Sequence, residues 1–205
     1  MNELEFAALL VSRVCHDLVS PVGAVVNGLE VLEDERDAAM RADALKLVAS
    51  SAAQAAARLQ FARIAFGAAG AAGAELDLSE VGRMVGGLLQ GGKVELVWEA
   101  ANITWPKDWA KLLMNSALLA SDSLPRGGQV RVGTAGDAQS PAFRIAATGP
   151  NARLLDDVEK ALQGEPSGPL DGRTIQAYLT CRIARNLNAD LSVRARDGAV
   201  ELAAG

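Results

Sequence analysis

The chain has 205 residues, of which half are hydrophobic and 22% charged, with a formal net charge of −5. Such a chain buries roughly 70% of its extended surface on folding, so it is one large domain or two small ones and not a disordered polymer. The acidic balance argues against nucleic-acid binding, which needs clustered Lys and Arg. No uninterrupted apolar run reaches the ~18 residues of a membrane span, and no signal peptide is expected at the start.

The first third reads as helix. Leu4, Ala8, Val11, Cys15, Leu18, Val22, Val25, Leu29 and Leu32 alternate at spacings of four and three, a heptad seam. Glu33 to Asp37 interrupts it. A second seam runs Leu45, Val48, Ala52, Ala55, Leu59, Ala62, Phe66. Two amphipathic helices joined by a polar turn form an αα-hairpin. Such a hairpin leaves each seam half covered, and two hairpins about a two-fold axis would complete a four-helix bundle. A homodimer is therefore expected. The plainer alternative is that the hairpin packs on the rest of its own chain.

Residues 67–75 are small and flexible and read as a linker, dividing a helical unit at 1–67 from a second domain at 76–205. Asp77 can cap a helix over 78–89, and Val94 to Trp98 alternates as a strand. Pro106 suits the first turn of a helix reaching Ser123. Strands follow at Gln129–Thr134 and Phe143–Ala147, then helices at 152–162 and Arg173–Leu187. The hairpin Leu191–Arg196 and Ala199–Ala203 turns at Asp197-Gly198. Helices interleaved with mainly antiparallel strands predict an α/β two-layer sandwich, so the fold class is α+β. Trp105 and Trp109 could pack internally or contribute to a contact surface, and packing is the expected role.

Cys15 and Cys181 stand far apart and suggest free thiols in a reducing, cytoplasmic compartment. His16 is the one histidine. That excludes a histidine-rich metal site and any triad with a second imidazole. His16 flanks the seam and can reach solvent, with Ser12, Arg13, Val19, Ser20 and Gly23 along the same helix surface. Asp17 beside it can hold the ring so that one nitrogen stays nucleophilic. A phosphoryl group suits that nucleophile, and Arg13 could supply a neighbouring cation. Pro21 loosens the helix one turn on, because it lacks a donor and crowds the carbonyl four residues back. The plain alternative is a surface histidine with no task.

His16-Asp17-Leu18-Val19-Ser20-Pro21-Val22 resembles the H-box of histidine-kinase dimerisation domains, with Val19 in place of the usual basic residue. Over Leu4–Leu32 the chain is similar to ChpT-type histidine phosphotransferases of bacterial cell-cycle phosphorelays. The likeness rests most on Ser12 to Asp17, Ser20 to Ala24 and Asn27 to Glu30, and is looser beyond residue 76. That resemblance implies a dimer built on a four-helix bundle, each subunit also carrying a degenerate histidine-kinase ATPase-like domain. It implies that His16 takes a phosphoryl group from the aspartate of a hybrid kinase's receiver domain. His16 then passes it to a response regulator, CtrA-like by family analogy. Asp17 assists, and Ser12, Arg13, Val19, Ser20 and Gly23 become receiver-docking residues. The receiver is expected to bring Mg2+.

The kinase-like half lacks what ATP would need. Of the paired asparagines of a kinase N-box, Asn115 fits one and Lys111 stands at the other. The adenine-binding aspartate falls on Ala147, in Ala147-Thr148-Gly149-Pro150-Asn151. A missing acceptor for the adenine amine costs about 1–3 kcal/mol. The loop Gln163 to Gly172 is short, and Pro166 and Pro169 remove donors that would bind phosphate. ATP is thus not expected to bind, and no cofactor or metal is expected on this chain. The competing readings are a non-enzymatic receiver-binding adaptor and a divergent ATP-dependent histidine kinase.

Overall fold

A computed structural model describes residues 1–67 and 73–205. Helix α1 (Glu3–Asp34) and helix α2 (Ala38–Ala65) form the expected hairpin. Asn2 opens α1 with a capping box, its Oδ1 accepting from Glu5 N–H while the Glu5 carboxylate accepts from Asn2 N–H. The turn is closed by side chains. Glu35 accepts from the Arg36 and Asp37 N–H groups, and Asp37 caps α2 through Ala39 and Met40. Arg41 donates back to the Leu32 and Glu35 carbonyls, satisfying acceptors that the end of α1 leaves open.

Each seam is half covered, as expected: Leu18, Val25 and Leu32 of α1 and Val48, Ala55 and Ala62 of α2 are half-buried. The buried residues of α1 are Phe6, Pro21 and Gly28, and those of α2 are Ala44, Ser51, Phe61 and Ala65. Gly28 is the close approach, since a Cβ there would stand 2.6 Å from Val48 Cγ2. The other seam residues of α1 turn outward. Leu4 is 80% exposed, Val11 62%, and Val22 and Leu29 about half. Helix α1 is also long and apolar enough, by length and composition, to cross a membrane. Here it lies along α2, and it also touches the helix Thr174–Leu187 of the second domain.

That domain opens with β1 (Glu75–Asp77), α3 (Leu78–Leu89), β2 (Val94–Glu99), β3 (Thr104–Pro106) and α4 (Lys107–Asp122). It continues with β4 (Gly128–Ala135), β5 (Ala142–Thr148), α5 (Asp156–Gln163), α6 (Thr174–Leu187), β6 (Ser192–Arg196) and β7 (Ala199–Ala204). The five-stranded sheet runs β2-β4-β5-β7-β6, parallel only between β2 and β4. Inward residues alternate as a one-sided sheet requires, with Val130, Val132, Ile145, Val200 and Leu202 fully buried. Helices α3 and α4 lie against the sheet, and α6 packs on α4. Gly82 lets α3 lie flat on the Trp98 ring, where a Cβ would meet the indole at 2.7 Å.

Three details depart from the expected elements. The linker's end is a strand, because Glu75–Asp77 pairs with Thr104–Pro106, a strand that the sequence pattern does not mark. Pro106 then closes β3 and stands at the N-cap of α4 rather than in its first turn. The helix expected at 152–162 starts at Asp156. The part of the linker at 68–72 lies outside the described residues.

The hairpin also packs on its own chain. Phe61 and Ala65 of α2 sit in one cluster with Leu78, Val81, Val85 and Trp105. Phe6 of α1 meets Tyr178 of α6 edge-on at 6.2 Å and carries Arg182 on its face at 4.7 Å. Trp105 is fully buried against Trp109, so this pair is packing. Gly28→Leu forces the two long helices apart, because the β-branched Val48 has little rotamer freedom to yield. We expect a loss of about 1–3 kcal/mol, read from urea unfolding of both proteins.

Candidate functional site

His16 lies near the middle of α1 with its side chain 86% exposed. The helix continues through Pro21, which is buried, so the ring is presented on a fixed rod. His16 Nδ1 lies 3.3 Å from Asp17 Oδ1. A carboxylate only accepts, so this contact suits the tautomer that carries its hydrogen on Nδ1 and its lone pair on Nε2. The ring is not sealed inside. Among the described residues no cluster of His, Cys, Asp and Glu could hold a metal ion.

Arg13 does something other than stand as a free cation beside the ring. Its side chain is only 15% exposed. Nε donates to Asp17 Oδ2 at 3.0 Å, Nη1 to the Gly172 carbonyl at 2.9 Å, and Nη2 to Asp122 Oδ2 at 3.3 Å. One guanidinium thus fastens Asp17 to the end of α4 and to the loop before α6. Burial works to lower the Arg13 pKa, but the charges of Asp122 and Asp17 outweigh it and hold the group above its ordinary value. Burial also raises the Asp122 pKa above the usual aspartate range, with Arg13 opposing and Asp17 adding to the rise. This occurs although about half of the Asp122 side chain still meets solvent.

The remaining candidates on α1 spread over its outer surface. Ser12, Val19 and Ser20 are exposed, Val19 by 70%, and Gly23 is half-buried with open space above it. A cleft of about 440 Å3 lies beside His16, walled by Ser12, Arg13 and Asp17 on α1 and by Asp171, Gly172 and Arg173 from the second domain. Sequence reasoning missed these last three. Arg173 is 60% exposed in its side chain and pairs only loosely with Asp171, at 3.9 Å. No local pattern marks that loop as a partner of α1; the link is made through the Arg13 side chain. Arg58 of α2, also missed, donates from Nη1 to the Asp17 carbonyl at 2.8 Å.

The positions compared with a kinase site serve the fold. Asn115 is fully buried, and its amide donates to the Lys111 carbonyl and to Ala65 O, an acceptor at the C-terminal end of α2. Ala147 is buried in β5. Lys111 is nearly buried and reaches Asp108 at 3.8 Å.

Residues 78–199 match the family model for the histidine phosphotransferase C-terminal domain. The protein phosphotransferase ChpT of Brucella abortus (strain 2308) is 40% identical over 199 residues, which is 95% of this chain and 92% of that one. A solved structure of a bacterial phosphotransferase, at 36% identity, superposes with a TM-score of 0.88 over 100% of this chain and 98% of its own.

Asp171 holds the loop beside His16 in place. Its Oδ1 accepts from the Arg173 and Thr174 N–H groups and from Thr174 Oγ1. The Thr174 N–H above all holds its pKa below the ordinary aspartate value. A depressed folded-state pKa stabilises above the unfolded value and stops doing so as pH falls through the folded one. Asp171→Asn keeps an acceptor that cannot titrate. Between about pH 6 and about pH 2 its stability should therefore fall less steeply than the wild type's in urea titrations.

Proposed function

The chain belongs to the histidine phosphotransferase family, and on that premise we propose that His16 is the residue that carries the phosphoryl group. The observation that supports this most is the exposed imidazole with Nδ1 on Asp17 and Nε2 open to a partner. In the first transfer, Nε2 attacks the phosphorus of an aspartyl phosphate on a receiver domain. The N–P bond forms as the acyl P–O bond breaks, and its electron pair leaves on the donor aspartate as a carboxylate. The Nδ1 hydrogen stays on the ring, and Asp17 stabilises the positive charge that develops there. In the second transfer, the carboxylate of another receiver attacks the same phosphorus and the imidazole leaves. Both steps depend on docking that brings the reacting atoms into line.

The chain's own contribution is orientation. Asp17 fixes the ring, and Arg13 fixes Asp17 while being itself bound at three points. The cation turned toward the phosphoryl group is then Arg173, across the cleft. Ser12, Val19, Ser20 and Gly23 form the docking face for the receiver, which brings Mg2+. No ATP is needed. The Asn115 amide donates to the Ala65 and Lys111 carbonyls, and the Ala147 side chain offers no acceptor to an adenine amine.

The phosphorelay partners are receiver domains and response regulators. We assign the donor to a hybrid kinase's receiver and the acceptor to a CtrA-like regulator of the cell cycle. The outward seam of α1, with Leu45 and Leu59 on α2 each more than half exposed, is the face of a homodimeric four-helix bundle. In this reading that stripe meets a second copy and not a bilayer. Arg13 and Asp17, mid-helix and tied to Asp122, would be costly in hydrocarbon. An exposed free Cys15 and a buried free Cys181 suit a reducing cytoplasm.

His16→Ala should abolish label transfer from a phosphorylated receiver, and acid-labile, base-stable phosphate should be absent from the variant. Wild-type protein given Mg-ATP alone should stay unlabelled. Labelling of His16 without a partner would make the chain a kinase. Leu29→Glu places a charge on the outward seam, and sedimentation equilibrium should then show monomers where the wild type is dimeric.

A further inference from the structure

Pro21 lacks an amide hydrogen, so the carbonyl of Asp17, four residues earlier in α1, loses its rung of the helix. That gap falls at the residue whose side chain holds the His16 ring. The structure closes it from another helix, where Arg58 of α2 places Nη1 2.8 Å from the Asp17 carbonyl oxygen. Arg58 forms no ion pair among the described residues, and its buried Nε has no hydrogen-bond partner there. The Asp17 carbonyl is thus the hydrogen-bond partner that the structure gives this guanidinium, which lines a cleft together with Arg13 and Asp17.

We propose that Arg58 is a positioning residue for phosphotransfer, a side-chain substitute for the rung that Pro21 removes. It fixes the backbone of Asp17, and through Asp17 the orientation and tautomer of His16. The inference rests on His16 being the phosphorylated residue. Freed of Arg58, the Asp17 carbonyl would tilt toward water, as open helix carbonyls do, and carry its side chain with it. The ring would stay exposed and reachable by a receiver but would lose its fixed Nε2. A charged donor on a half-buried acceptor is among the stronger protein hydrogen bonds, so the restraint is not trivial.

The pairing of Pro21 with Arg58 supplies the test. Pro21→Ala restores an N–H that can bond to the Asp17 carbonyl, making Arg58 redundant. Transfer from a phosphorylated receiver is to be followed in the full-length protein and in Arg58→Ala, Arg58→Lys, Pro21→Ala and the Pro21→Ala/Arg58→Ala double variant. Thermal melts and 15N shifts of the imidazole are recorded in parallel. With Pro21 present, Arg58→Ala should lower kcat about tenfold while KM for the receiver moves less than about twofold. The imidazole signals should shift toward a mixture of tautomers. Lysine reaches the same oxygen and should retain kcat to within about threefold. In the Pro21→Ala background, losing Arg58 should cost less than about twofold.

Equal losses in both backgrounds, or a loss confined to KM, would overturn the proposal in favour of a general packing or docking role. Should Arg58→Ala fail to fold, the proposal requires the Pro21→Ala/Arg58→Ala double variant to recover both fold and kcat, and an unfolded double variant defeats it. Transfer that persists in His16→Ala refutes the underlying reading instead. Transfer that needs His16 but ignores Arg58 refutes this inference alone.

Discussion

The guanidinium of Arg13 is the contact on which the arrangement of this molecule turns. Its three donors reach the side chain of Asp17, the carboxylate of Asp122 and the backbone of Gly172. These groups come from the helix that bears His16, from the end of α4 and from the loop before α6. A planar fork with fixed donor directions suits that task, and the single ammonium of lysine would not span it. The same contact joins the helix that carries His16 to the second domain. The Asp17 that orients His16 is therefore also the Asp17 that feels where α4 and α6 lie.

Much of this was legible in the sequence. The hairpin, the strands β2, β4, β5, β6 and β7 and the helices α3, α4 and α6 follow from period and caps, which are local properties. His16 and Asp17 were visible because their relation is that of neighbours on one helix. What stayed hidden depends on distance. The strand pair β1 and β3 is short, and each strand exists only because the other does. Arg13 reads as a surface cation until Asp122 and Gly172, both more than 100 positions away, are brought to it. Arg58 lies in an alanine-rich helix with a weak apolar stripe, and nothing near it in sequence says that it faces the rung beneath Pro21.

The expected seam carries a related lesson. A heptad pattern states that apolar residues share a face and leaves open what covers it. In α1 the close approach to α2 falls at the small Gly28, a residue that a hydrophobic count ignores. The larger residues at Leu4, Val11, Val22 and Leu29 then point away from the hairpin's own interior. The one periodic line thus supplies both half-buried residues, Leu18, Val25 and Leu32, and exposed ones.

Asn115, the residue that the sequence sets beside a kinase N-box, has a structural contact: it donates to the Ala65 carbonyl and so satisfies an acceptor that the end of α2 leaves open. The last turns of α2, through Phe61 and Ala65, are correspondingly part of that domain's interior. The hairpin is therefore a poor module for transplantation. Severed at the junction, it would lose its terminal anchor and leave aromatic surface bare. Recombination that shuffles signalling helices freely among other partners would here have to move both halves together.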